Sequence, residues 1–206
     1  TYIVFAISKF ISIICNIFKS TVCSFVNVNN YLMIKFWIFF NTINTNVNCG
    51  VGGSVYKGVL PRDSVTGVGL YLDIDSRENQ VFITLTGPSN LWYGVAFNAD
   101  KMADLPYAIV VNGSGYVNEI KLGDHSPGTI LNKTVKVVNN TINNQTGLRT
   151  LVLSRTAQGF NSNYYSFTTK ESSIPILTAV GNTGSYGYHH LRSSNTISLL
   201  LFAIIG

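Results

Sequence analysis

From residue 69 onward the chain alternates apolar and polar positions in short runs. Gly69-Leu-Tyr-Leu-Asp-Ile-Asp and Gln80-Val-Phe-Ile-Thr-Leu-Thr-Gly show this most clearly. A period of two places successive side chains on opposite faces of a strand. Further β-rich runs follow at Leu91–Asn98, Tyr107–Gly113, Tyr116–Leu122, Thr134–Asn139, Thr150–Ser154, Ile174–Val180 and Thr196–Leu201. Gly, Asn, Asp, Ser and Pro punctuate them at short intervals. The stretch Asn139–Gly147 is polar and reads as an exposed loop. No sustained 3.6-residue period interrupts the series. The pattern predicts an all-β fold, an antiparallel, immunoglobulin-like β-sandwich of about ten strands.

The first quarter is patterned differently. Thr1–Val26 is apolar and broken by Lys9 and Lys19. Met33 opens a second apolar segment, Met33-Ile-Lys-Phe-Trp-Ile-Phe-Phe, which the polar run Asn41–Asn48 follows. A charged start, a short apolar centre and a small polar end describe a secretory signal. Residues 33–49 are therefore read as a signal peptide and 1–32 as upstream, non-mature sequence. A membrane anchor through Ile3–Phe18 is the competing reading. Lys9 lies near its middle, whereas a spanning helix needs about 20 apolar residues. Residues 50–201 then form the β-domain. The apolar tail 197–206 reads either as a final strand running into a truncated membrane segment or as the start of a lipid-anchor signal. Either end offers membrane attachment, and the expected location is secreted or on the outer face of the cell membrane.

Composition narrows the function. Of 206 residues, 46% are hydrophobic and 11% charged, against a typical charged share of roughly 25%. All nine acidic residues lie at or after Asp63, so the net +5 is partly a property of the first quarter. Residues 50–206 carry eleven Lys+Arg against nine acids, which leaves no basic stripe for nucleic acid. Cys15, Cys23 and Cys49 precede the β-domain, which has no disulfide, no zinc-type spacing and no CxxCH. Four sequons, at Asn112, Asn132, Asn139 and Asn144, agree with export as glycosylation acceptors.

Enzymatic motifs are missing. There is no Gly-x-Ser-x-Gly elbow, no His-Glu-x-x-His, no P-loop and no dinucleotide fingerprint. Asp73 and Asp75 share a strand face and read as solvated. A stand-alone enzyme is not expected. Soft and imidazole ligands are few: Met102, His125, His189 and His190. Taken alone, Met102 reads as a partly buried loop residue and His125 as a surface turn residue. His189 and His190 are adjacent, point to opposite faces, and so do not bind one metal together. Trp92, Tyr93, Tyr164 and Tyr165 are candidate stacking surfaces for a carbohydrate.

Two stretches carry a family resemblance. Leu91-Trp-Tyr-Gly-Val-Ala-Phe-Asn, the loop Met102, Ala103-Asp104 and the strand Tyr107-Ala-Ile-Val-Val follow in one order. Tyr188-His-His-Leu-Arg-Ser-Ser-Asn-Thr-Ile-Ser-Leu leads into the last strand. Together they resemble the DOMON family, named after the N-terminal region of dopamine monooxygenase, over residues 53–201. The resemblance implies a non-covalent b-type haem held between Met102 and His189, with His190 as the fallback ligand. It departs from the family pattern at Ser193, where Gly is frequent after the Arg. The implied function is extracellular one-electron transfer. The implied partner is a separate redox protein or a fused membrane cytochrome. A haem-free carbohydrate-binding or structural surface module is the alternative.

Overall fold

A computed structural model describes residues 54–168 and 170–202. The signal-peptide and upstream readings, and the end of the apolar tail at 203–206, lie outside these residues. The described residues hold eleven strands, one 3₁₀ turn at Met102–Asp104 and no α-helix. Among them no helix is long and apolar enough to cross a membrane.

The strands are β1 (Val55–Leu60), β2 (Gly69–Asp75), β3 (Gln80–Pro88), β4 (Tyr93–Phe97), β5 (Tyr107–Val111) and β6 (Val117–Lys121). Then come β7 (Thr129–Ile130), β8 (Lys136–Asn143), β9 (Leu148–Thr156), β10 (Ser173–Val180) and β11 (Leu191–Phe202). They form one antiparallel sheet in the order β7-β6-β5-β4-β10-β11-β1-β2-β3-β9-β8. The sheet curls on itself because β11 serves two halves. Its residues 191–198 pair with β10, and residues 199–202 pair with β1. A strand that changes partners in this way makes the corner of a sandwich. Ile197 and Leu199, both buried, sit at the hand-over.

The two halves bury one common core. Leu70, Leu72, Ile74, Val81, Ile83, Leu85, Leu151 and Leu153 face it from one half. Tyr93, Val95, Phe97, Tyr107, Ile109, Ile174 and Ile176 face it from the other. The alternation in β2, β3 and β10 maps onto this burial. Asp73 and Asp75 point outward, paired with Lys57 and Arg77. The solvated-face reading therefore holds for both.

Four elements depart from the sequence reading. β1 and the two-residue β7 lie outside every run that the pattern marks. β8 continues through Asn139–Asn143, which reads as loop from its polarity. All eight β8 residues are exposed, so pairing with β9 alone makes it a strand. β11 spans Leu191–Phe202, so it begins five residues before the predicted Thr196–Leu201 run and ends one residue after it.

β4 and β5 are buried at every position, on both faces. In a sandwich one face of a sheet ordinarily meets water. Here something covers the second face, and that cover makes the candidate site.

Candidate functional site

Register defines the covered face. Val95 lies opposite Ile109 and Thr178, and these three face the core. Gly94 lies opposite Val110 and Ala179, and Ala96 opposite Ala108 and Leu177. Those six therefore share the outer face. Four of them are Gly or Ala, so the face is flat and apolar. Above it lies a cavity of about 770 Å³, lined mainly by apolar surface. Small-molecule and cofactor sites span roughly 300–1,000 Å³.

Four segments wall the cavity. The β4–β5 loop contributes Asp100–Ala103, and the turn after β6 contributes Leu122, His125, Ser126 and Pro127. The β10–β11 loop contributes Tyr186–His189, and the start of β11 contributes Arg192–Ser194. Met102 and His189 both line it, each half-buried.

Local bonds hold each wall. Asp104 Oδ2 accepts the N–H groups of Asp100 (3.1 Å) and Lys101 (3.2 Å). The Leu105 N–H returns to the Met102 carbonyl at 2.9 Å, with Leu105 at φ 51°. This left-handed residue closes the turn that presents Met102. The long β10–β11 loop is tied at both ends. Trp92 and Thr183 bond through the backbone at 2.8 Å, Gly181 donates to the Trp92 carbonyl at 2.9 Å, and His190 donates to Val180 at 2.8 Å. In its middle, the Tyr186 hydroxyl donates to the Pro127 carbonyl at 3.1 Å, and its ring meets Trp92 edge-on at 5.2 Å. Trp92, Val110 and Ile120 form a second small core under this cover.

The electrostatics favour a neutral imidazole. Burial pushes the His189 pKa below its ordinary value, and the Arg192 charge adds to the effect. The His189 ring stacks on Tyr188 with centroids 4.6 Å apart and planes 19° apart. Lys101 and Arg192 put two exposed cations among the lining residues. Among the described residues no group of three or more His, Cys, Asp or Glu gathers.

The other sequence candidates fall elsewhere. His190 is exposed and lines an adjoining recess of about 480 Å³ that shares Trp92, Tyr186, Tyr188 and His189 with the large cavity, so the two adjacent histidines meet at one recess. His125 is an exposed turn residue at φ 51°, bonded to Asp124 at 2.6 Å. It nevertheless lines the large cavity, which the sequence did not indicate. Trp92, Tyr93 and Tyr164 are buried at 4%, 0% and 6% exposure, so they offer no open stacking face. Tyr165 stacks on Phe97 inside the fold. Asn132, Asn139 and Asn144 are exposed, whereas Asn112 is half-buried. Tyr186 and Pro127 escaped sequence reasoning, because nothing along the chain signals that their turns meet.

No family model matches the chain, and no curated protein matches it. Among solved structures the chain is similar to the cytochrome b domain of pyranose dehydrogenase from Coprinopsis cinerea. The TM-score is 0.49 and the identity 15%, over 65% of this chain and 77% of that one.

Proposed function

We propose that this domain is an extracellular, non-covalent b-type haem module for one-electron transfer, in which Met102 and His189 would hold the haem iron. One observation carries the reading: a thioether and a half-buried imidazole, far apart in sequence, line the same apolar cavity. The flat floor of Gly94, Ala96, Ala108 and Ala179 suits a planar apolar ring. Lys101 and Arg192 suit its carboxylates. Burial and Arg192 keep His189 in the neutral form that ligates iron. Held by Met102 and His189, such a haem would supply reversible one-electron chemistry at a raised potential. The chain's own part is to orient the ligands and exclude water. Tyr186 and Trp92 close the floor, and the 3₁₀ turn fixes Met102. The domain then serves a redox partner, either a separate protein or a fused membrane cytochrome, and is not itself an enzyme.

The burial of Trp92, Tyr93 and Tyr164 weighs against the carbohydrate reading. The test is reconstitution of the full chain with hemin, recorded oxidised and dithionite-reduced, beside Met102→Ala, His189→Ala and His190→Ala. Far-UV circular dichroism checks that each variant folds. The expected result is a sharp Soret band with resolved reduced α and β bands, lost in the first two variants and kept in the third. A broad spectrum, unchanged by any variant, overturns the proposal.

A further inference from the structure

The loop before β11 places two rings face to face. Tyr188 is 87% exposed, and its ring lies on the His189 imidazole with centroids 4.6 Å and planes 19° apart. That distance falls within the range of an attractive offset stack. A single exposed aromatic residue is ordinary on a protein surface. This contact is not, because neighbours along a strand point to opposite faces. Tyr188 and His189 share a side because they precede β11, in the bent stretch that follows β10.

The backbone beside the pair is pinned. The His190 N–H donates to the Val180 carbonyl at 2.8 Å. A pinned backbone still lets an imidazole turn about its two side-chain bonds. On the other side of the pair, Gly187 adds no restraint, since even a Cβ there would meet nothing within 4 Å. His125, the other imidazole on the cavity, has a ring nitrogen bonded to Asp124 at 2.6 Å. A histidine that holds a metal ordinarily has its ring orientation set by a hydrogen bond at its second nitrogen. The Tyr188 stack restrains the His189 ring through its face and occupies neither nitrogen.

We infer that Tyr188 is the positioning residue of the His189 imidazole, and that it sets the plane in which that ring meets the iron. The inference rests on the haem reading for its purpose and on the stack alone for its geometry. Tyr188 acts through His189 and needs only its ring, so Phe should replace it and an aliphatic residue should not. An aromatic pair stabilises its arrangement by an amount equal to a roughly 2- to 10-fold change in an equilibrium constant. An imidazole released from the stack samples other planes and holds the iron less firmly by a factor of that size.

Tyr188→Phe and Tyr188→Leu in the full chain test this, with far-ultraviolet circular dichroism to check folding. The first arm needs no haem. In protein labelled at histidine, with His189→Ala to assign the signal, the His189 ring protons should be shifted upfield by the stacked ring. The shift should persist in Tyr188→Phe and vanish in Tyr188→Leu. The second arm uses hemin. The electron paramagnetic resonance g-values of a low-spin ferric centre report the plane of its imidazole. They should match the wild type in Tyr188→Phe and move or broaden in Tyr188→Leu, whose hemin should dissociate about 2- to 10-fold faster. Wild-type ring shifts in Tyr188→Leu overturn the inference. So do wild-type g-values and dissociation in a Tyr188→Leu chain that binds hemin, an outcome that leaves the haem reading standing. A wild-type chain that shows the ring shift but takes up no hemin overturns the haem reading, and the positioning role with it.

Discussion

Asn195 on β11 donates its side-chain N–H to Oδ2 of Asp63 across 3.0 Å, which ties the last strand to the loop between β1 and β2. Oδ1 of the same carboxylate accepts the N–H groups of Thr66 (2.7 Å) and Val65 (3.0 Å). The Thr66 hydroxyl lies 3.0 Å from Asp63 Oδ1 and 2.9 Å from the Thr178 hydroxyl on β10. One buried acid thus joins three parts of the sheet beside the strand that carries Arg192 and Ser193 into the cavity wall. Burial alone pushes the Asp63 carboxyl upward. The donors of Thr66 and Asn195 outweigh it and hold the pKa at about 2.

The sign for stability follows from linkage. A carboxyl whose folded pKa is depressed stabilises the fold fully above its unfolded value, near 4, and loses that contribution as pH falls toward 2. Asp63→Asn is expected to cost about 1–2 kcal/mol at pH 7. The difference from the wild type should shrink between about pH 4 and pH 2. Urea melts at stepped pH check it. A difference that stays constant down to pH 2 contradicts the assignment.

Glu119 points into the core from β6 and is 1% exposed. Its carboxylate accepts from the Tyr107 hydroxyl (2.6 Å), the Thr134 hydroxyl (2.7 Å) and the Val135 N–H (2.9 Å), and from the Thr134 N–H as well. It thereby holds the segment between β7 and β8 onto the sandwich. Glu119→Ala leaves the buried Tyr107 and Val135 donors and the two half-buried Thr134 donors without their acceptor, and each buried unpaired group costs about 1–3 kcal/mol. A loss of more than 3 kcal/mol is expected. Glu119→Gln keeps an acceptor oxygen and should lose less than half as much. Equilibrium denaturation of both variants settles the order.

Gly181 follows β10 at the point where the Trp92 indole crosses. A Cβ built there falls 1.9 Å from Trp92 Nε1. Gly181→Ala must push the indole off the floor of the cavity and with it the Tyr186 ring. Overpacking of this kind costs typically 1–3 kcal/mol. The near-ultraviolet circular dichroism band of the tryptophan should weaken while the far-ultraviolet spectrum is kept. An unchanged aromatic spectrum contradicts the close approach.

The strands whose side chains alternate were legible, because β2, β3 and β10 bury one face and wet the other. β1 was not. Its Gly58 breaks the apolar run, yet a Cβ there would fall 2.8 Å from Leu199 Cδ2, so the gap in the pattern is filled by a residue from the far end of the chain. The second half of β8 was hidden for the opposite reason. Backbone pairing makes a strand at an edge, and its polar side chains say nothing of that. At the cavity, Met102 and His189 could be singled out by residue type and resemblance. The walls could not. Leu122, Pro127 and Tyr186 come from separate turns, and only the register of β4, β5 and β10 sets them over one face.

Tyr186 is the residue that joins two of those turns. Its hydroxyl reaches Pro127 at 3.1 Å and its ring reaches Trp92 at 5.2 Å. Tyr186→Phe removes the hydrogen bond and keeps the ring contact. One neutral hydrogen bond contributes about 0.5–1.5 kcal/mol, so global stability should fall by no more than that. Tyr186→Ala removes both contacts and opens the loop that carries His189. Amide exchange within 182–190 should therefore quicken modestly in the first variant and strongly in the second. Exchange in β2 and β3, on the other half of the sandwich, should stay at the wild-type rate in Tyr186→Phe. If hemin binds as proposed, its dissociation should follow the same rank: wild type slowest, Tyr186→Phe faster, Tyr186→Ala fastest. Equal exchange in the loop for all three proteins contradicts the role assigned to this side chain.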